Sequence, residues 1–149
     1  MARLLGIACK EYRRGPMQEL QQGELSPQLG LHGDYRGRPS QRQVTLLSLA
    51  DWHTACTELQ IQLPWMTRRA NLLVDDLPLF ESAGQRIVIG AAVLEITGET
   101  DPCSRMEEAQ AGLFAALQPQ WRGGVTCRVV QGGTIAIGDT VELIAGQVT

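Results

Sequence analysis

Apolar residues recur with period two along several short stretches, and glycine- and proline-rich turns separate those stretches. That spacing puts alternate side chains on one face of a strand. Arg3–Lys10 predicts a first strand, with Leu5, Ile7 and Cys9 on one face. Gly15-Pro16 predicts a turn, and Met17–Gln22 a short strand. Gln43–Leu47 and Ala70–Val74 predict two more, the second closed by Asp75-Asp76. Arg86–Thr97 carries the strongest strand pattern, rich in Ile and Val, with Gly90 read as a bulge. Val125–Gln131 predicts a strand, Gly132-Gly133 a hairpin turn and Ile135–Ile137 the return. Val141–Ile144 is the last strand.

Two segments carry helical spacing instead. Leu49, Trp52, Cys56 and Leu59 form one apolar stripe, opened by Ser48 and Asp51 in the manner of a capping box and ended by Pro64. Met106, Ala109, Leu113 and Leu117 form another, opened by Ser104 and Glu107. The expected helices lie near 48–60 and 104–117, with Ser104 as the N-cap of the second. Strands outnumber helices and do not alternate with them, which argues against a doubly wound parallel sheet. The fold class expected is mainly β: a largely antiparallel barrel with about two principal helices. Gln21–Gln43 holds Gly23, Pro27, Gly30, Gly33, Gly37 and Pro39 with few large apolar groups. A loop of that length is usually functional or disordered.

The 149 residues make one domain, 1–149. Hydrophobic residues at 44% and charged residues at 19% argue against disorder. The longest stretch free of strong polarity, Ile87–Leu94, has eight residues, against about 20 for a membrane span. Leu4–Cys9 is too short for a secretory signal, so a reducing, cytoplasmic setting with free thiols is expected. The net charge of −3 argues against nucleic-acid binding. The thirteen cations are twelve Arg and Lys10 alone, and Arg grips phosphate and carboxylate with a two-pronged fork.

The four cysteines, at 9, 56, 103 and 127, include no C-x-x-C pair, and His32 and His53 are the only histidines. A zinc ribbon, a dithiol redox pair and a His-built metal site are therefore unexpected. Cys9, Cys56 and Cys127 sit on apolar faces and read as core fillers. Cys103 stands in Gly98-Glu99-Thr100-Asp101-Pro102-Cys103, just ahead of the second helix. Helix N-termini favour anions, so a thiolate there is a better nucleophile or metal ligand, while Asp101, Glu107 and Glu108 oppose that effect. Asp34 and Asp139 read as turn residues, and Trp65 and Trp121 as core.

Several motifs then fall in a familiar order: Gly30-Leu31-His32-Gly33-Asp34, Arg42 to Leu47, Thr67-Arg68-Arg69-Ala70-Asn71-Leu72-Leu73-Val74, Gly90 through Gly98, Asp101-Pro102-Cys103, Arg122-Gly123-Gly124-Val125, and Gly132 to Val141. The chain resembles a stand-alone MOSC domain, the module named after the C-terminal part of molybdenum-cofactor sulfurases. The resemblance implies a β-barrel and a key cysteine at Cys103, which ligates molybdenum in amidoxime-reducing relatives and is thought to carry sulfur as a persulfide in sulfurase relatives. It places the relatives' Arg-x-Asn on Arg69 and Asn71. With Arg42, these residues are expected to converge on Cys103 and bind the small anionic cofactor, molybdopterin. Arg36, Arg38, Arg68 and Arg122 are further anion-site candidates.

Three functions follow as expectations. The first is a binding and carrier module that holds molybdenum cofactor or sulfane sulfur on Cys103. The second is a molybdenum-cofactor-dependent reductase of N-hydroxylated compounds, served by a partner electron-transfer protein. The third is a domain that has lost the cofactor and binds another protein or a small anion. A sulfur-donor protein is an expected partner of the first; nucleic acid and membrane are not expected partners.

Overall fold

A computed structural model describes residues 2–145. The chain forms β1 (Ala2–Cys9), β2 (Gln18–Leu20), β3 (Gln22–Ser26), β4 (Gly30–Leu31), β5 (Val44–Ser48), α1 (Leu49–Glu58), β6 (Leu72–Val74), β7 (Arg86–Ile89) and β8 (Ala92–Glu99). It continues as α2 (Ser104–Ala109), α3 (Leu113–Leu117), β9 (Val125–Gln131), β10 (Gly133–Ala136) and β11 (Thr140–Ile144). The main sheet runs β11-β7-β8-β9-β5-β6-β1-β2, and the pairing of β1 with β11 closes seven of these strands into a barrel. The fold is mainly β, as the pattern predicts. Every ladder is antiparallel except β5–β6, so the barrel is mixed. That parallel pair needs a crossover, and α1 supplies it.

Branched apolar side chains from successive strands fill the barrel, among them Leu4, Ile7, Val44, Leu72, Leu94 and Val129. A second apolar layer lies outside the wall, where Trp52, Ala55 and Cys56 of α1 meet Leu47, Leu73, Met106, Leu113 and Leu117. No helix among the described residues is long and apolar enough to cross a membrane.

Several expectations are corrected. The β1–β6 register shifts between Leu4 and Gly6, so Leu4 is buried and Leu5 faces out. Such a bulge flips the inward face. The stretch 86–97 is a hairpin, not one bulged strand: Ile89 pairs with Ala92 and the chain turns at Gly90-Ala91. The segment 21–43 is not all loop, since β3 and β4 form a small sheet with β10. Gly132-Gly133 therefore leads β10 away to β3 and does not close a hairpin on β9. A side chain at 132 would stand 2.6 Å from the Leu25 carbonyl oxygen, which fits glycine there.

The predicted helix 104–117 is broken into α2 and α3 at Gly112, whose φ of +88° ends the first stripe. Neither predicted capping box forms. Ser48 makes no side-chain cap bond, and the N-cap of α2 is Cys103, not Ser104. Glu107 reaches forward instead and accepts the Gly112 and Phe114 amides at 2.9 and 3.3 Å, bridging the break.

Candidate functional site

A cavity of about 330 Å³ opens beside the end of the barrel, and Cys103, Arg42, Arg69 and Asn71 all line it. Cys103 is the exposed cysteine; Cys9, Cys56 and Cys127 are buried. Burial pushes the Cys9 and Cys56 thiols up, and drives the Cys127 thiol up to about 12.

Eight of the chain's thirteen cations line the cavity, against two acids, Asp34 and Asp101. A chain of net charge −3 thus gathers its positive charge at one place. One Asp34 carboxylate oxygen accepts the Lys10 amide at 3.0 Å and the other the Arg36 amide at 3.1 Å. These bonds fasten the loop after β4 to the end of β1. Burial lowers the Lys10 pKa first, with Asp34 opposing and Arg69, Arg36 and Arg105 adding to the fall. Eight cations share two carboxylates, and that excess of positive charge favours an anion.

The loop that carries Cys103 is clamped by Arg68, expected from the sequence as an anion-site candidate and found here in a role its spacing does not reveal. Arg68 ends the helical turn Trp65–Arg68 and is only 6% exposed. Its Nε donates to the Gly123 carbonyl at 2.9 Å, and its Nη2 to the Thr100 carbonyl at 2.9 Å and the Asp101 carbonyl at 3.4 Å. Nη1 makes no hydrogen bond among the described residues. Burial presses the guanidinium pKa down, and the Cys103 sulfur is the first neighbour opposing that fall. Arginine stays charged regardless, so a buried cation stands beside the exposed thiol. Gly123 makes the clamp possible: a Cβ there would stand 2.8 Å from the Thr100 oxygen and 3.0 Å from Arg68 Nη2.

Thr100 lines the same cavity, and its Oγ1 is buried without a hydrogen-bond partner. A buried hydroxyl left unpaired costs about 1–3 kcal/mol. In the sequence, Thr100 is one polar residue in a loop, and only its burial marks it. The adjacent pair Arg68-Arg69 held a clue to Arg68, since a turn can point two neighbouring side chains in different directions.

The predicted residues differ in what their side chains do. Arg69 has φ +64° and its guanidinium donates to the Gly15 carbonyl, tying down the β1–β2 connection at the cavity edge. Arg42 is exposed and makes no side-chain hydrogen bond among the described residues. Asn71 is 4% exposed and its carboxamide is engaged with the backbone. Oδ1 accepts the Thr45 amide at 3.0 Å and Nδ2 donates to the Ala8 carbonyl at 3.2 Å, locking β1, β5 and β6 beneath the cavity. Arg36 lines the cavity and Arg38 does not. Arg122 lies elsewhere, paired with Glu58 at 2.9 Å and donating to the Ala116 carbonyl. Trp65 and Trp121 are outside the cavity too; Trp121 packs edge-on against Phe80.

Among the described residues no three His, Cys, Asp or Glu side chains are grouped to cage a metal ion. Cys103 offers one soft sulfur, so a metal here must arrive with other ligands of its own.

The sequence profile of the MOSC domain matches residues 26–142. No curated protein matches the chain in sequence. Among solved structures, the chain is similar to the YuaD protein from Bacillus subtilis, at 20% identity and TM-score 0.78, covering 99% of this chain and 98% of that one. It is similar to YiiM from Geobacillus stearothermophilus at 15% identity and TM-score 0.76, over 97% of this chain and 75% of that one. For YiiM from Escherichia coli the values are 17% and 0.71, over 99% and 71%. At these identities the likeness is one of fold.

Proposed function

The chain belongs to the MOSC domain family, and from that premise we propose that it binds the molybdenum cofactor, with Cys103 as the thiolate that meets the metal. The observation that carries this reading is the setting of Cys103: the exposed cysteine opens into a cavity lined by eight cations. The residues present fit the group. Molybdopterin brings a dithiolene and a phosphate, which answer the single soft sulfur and the unpaired cations. The orphaned Thr100 Oγ1 and the unbonded Arg68 Nη1 stand ready to hydrogen-bond a polar occupant.

In this reading Arg42 supplies a free fork for the phosphate, and Arg69 adds positive charge from the opposite loop. Arg68 holds the Cys103 loop through the Gly123, Thr100 and Asp101 carbonyls. Asn71 shapes the floor through its backbone bonds. When bound, the cofactor would supply two-electron redox chemistry at molybdenum. The free thiols fit the reducing cytoplasm.

A second reading, sulfur carriage, is favoured by one observation. The other three cysteines are buried, so a persulfide on Cys103 has no exposed neighbouring thiol among the described residues to reduce it. The Cys103 thiolate would attack the outer sulfur of a partner's persulfide. A new S–S bond forms on Cys103, the donor's S–S bond breaks, and the donor leaves as a thiolate.

The test is metal analysis with intact-mass measurement, on protein made in a host that synthesises the cofactor. Molybdenum near one atom per chain, lost in Cys103→Ser, supports the first reading. A cyanide-labile sulfur on Cys103 without molybdenum selects the second. Molybdenum retained in Cys103→Ser overturns Cys103 as the ligand.

A further inference from the structure

We propose that the anion site continues beyond the cavity of Cys103, and that its outer part takes the diphosphate and nucleoside of a nucleotide-extended ligand. The inference rests on the cofactor reading and names the form of cofactor the site is built for. A second, more open cavity of about 610 Å³ adjoins the first. The two share a wall made by Arg13, Tyr35, Arg36 and Arg42. Arg38 belongs to the outer cavity alone, and Arg69 to the inner one alone. The outer cavity is lined by four arginines and no acid.

Charge is the first argument. None of Arg13, Arg36, Arg38 and Arg42 has an ion-pair partner among the described residues; the pairs present, Arg122–Glu58 and Arg128–Glu95, are elsewhere. The chain has 16 acids, so unpaired cations crowded along one path are not forced by composition. A single phosphate in the inner cavity would leave the outer arginines repelling one another. A second phosphate linked to the first would occupy the shared wall, where Arg36 and Arg42 reach both cavities.

Backbone and shape add two further arguments. The loop around 38–41 is held in place from behind: the buried Gln43 carboxamide donates to the Pro27 and Gly37 carbonyls at 2.8 and 3.1 Å and accepts the Val129 amide at 2.9 Å. The amides of Arg38, Ser40 and Gln41 take no partner among the described residues, and all three residues line the outer cavity, so the loop brings unused donors as well as arginines to that wall. Tyr35 stands on the shared wall, 43% exposed, with its backbone amide bonded to the Lys10 carbonyl at 2.7 Å. An anchored, exposed aromatic ring is a stacking platform for a base.

Calorimetric titration of the cofactor-free chain with orthophosphate, pyrophosphate, ADP, GDP and CDP tests this. Pyrophosphate should bind about tenfold tighter than orthophosphate, and at least one nucleoside diphosphate tighter still. Arg38→Gln should erase most of the pyrophosphate advantage, whereas Arg69→Gln should weaken orthophosphate and pyrophosphate alike. Tyr35→Leu should bring the nucleoside diphosphates down to pyrophosphate. Equal affinity for orthophosphate and pyrophosphate overturns the inference, as does pyrophosphate binding no nucleoside improves. A poly-glutamate peptide that outcompetes every nucleotide overturns it in favour of an acidic protein partner. Molybdenum loading of the wild-type chain separates the two levels: loading with equal phosphate affinities sinks the nucleotide extension alone, and nucleotide binding without Cys103-dependent molybdenum sinks the cofactor reading.

Discussion

The inside of the barrel and the mouth beside Cys103 are built from opposite materials. Inside, Leu4, Ile7, Val44, Leu72, Leu94 and Val125 are fully buried, and Cys127 among them is a sealed thiol. At the mouth, eight cations and an exposed thiol stand over a floor locked by Asn71. The two meet along β9, which carries Cys127 into the core while Gly123, just before it, receives Arg68. The contrast separates two duties. Burial of aliphatic groups holds the fold, so the mouth is free to concentrate charge that burial could not tolerate.

The largest expected effect is on thiol chemistry. With Cys127 pushed up to about 12 by burial, its thiolate fraction at neutral pH lies on the order of a thousandfold below that of an ordinary thiol, before access is considered. Alkylation at pH 7.5, read by peptide mass spectrometry, should label Cys103 first by at least that factor. Equal labelling of Cys103 and Cys127 in the folded protein would erase the contrast.

Stability should divide the other way. Leu72→Ala removes a fully buried side chain between Leu46 and Ile7 and should cost about 2–5 kcal/mol in urea unfolding. Cys103→Ser should stay within about 0.5 kcal/mol of the parent, because the residue is exposed. A large loss in Cys103→Ser would mean that the mouth is structural as well.

Arg68 joins the two regions and should be felt in both. Arg68→Met and Arg68→Lys each lose the fork to Gly123 and Thr100, at about 1.5–3 kcal/mol for hydrogen bonds from a charged donor. Only the Lys variant keeps a cation near the sulfur. The rate at which the anionic reagent iodoacetate labels Cys103 should therefore fall more in Arg68→Met than in Arg68→Lys. Identical labelling rates in the two variants would reduce Arg68 to a structural clamp.

Much of the barrel was legible because its strands alternate or run apolar between turn residues, as in Val125–Gln131 and Val141–Ile144. The errors fall where a long-range contact decides. The bulge at Leu4–Gly6 depends on β6, more than 60 residues away in sequence. The course of β10 depends on β3, which looked like loop because Gln22–Ser26 has a single buried aliphatic, Leu25. At the site, the motif order marked Cys103, Arg69 and Asn71 as positions, yet not what their side chains hold. Asn71 spends its carboxamide on Thr45 and Ala8, and Arg122 left the expected anion site for Glu58. Such partners are set by packing, and no spacing along the chain encodes them.

The smallest expected effect comes from Asp51, a charge outside the mouth. It lies in the first turn of α1, away from the Cys103 cavity. Its pKa is raised from 3.8 to about 6, first by burial and then by Asp76, with Arg122 opposing. A folded pKa above the unfolded one means that the native state holds the proton more tightly. The stability this gives is fully present below about pH 4 and is lost as pH rises through about 6. The full shift would correspond to about 3 kcal/mol; solvent screening of a half-exposed group brings the expectation down to about 1 kcal/mol. Asp51→Asn should thus be about 1 kcal/mol more stable than the parent at pH 7.5, a rise of roughly 2–4 °C in Tm, and equal to it at pH 4. Its Cys103 alkylation rate should not change, because the charge removed does not face that cavity. A stability difference that is the same at both pH values would show that Asp51 does not titrate as its burial requires. A change in Cys103 reactivity would mean that the charge at the mouth extends through the helical layer, and that the two regions are not separate.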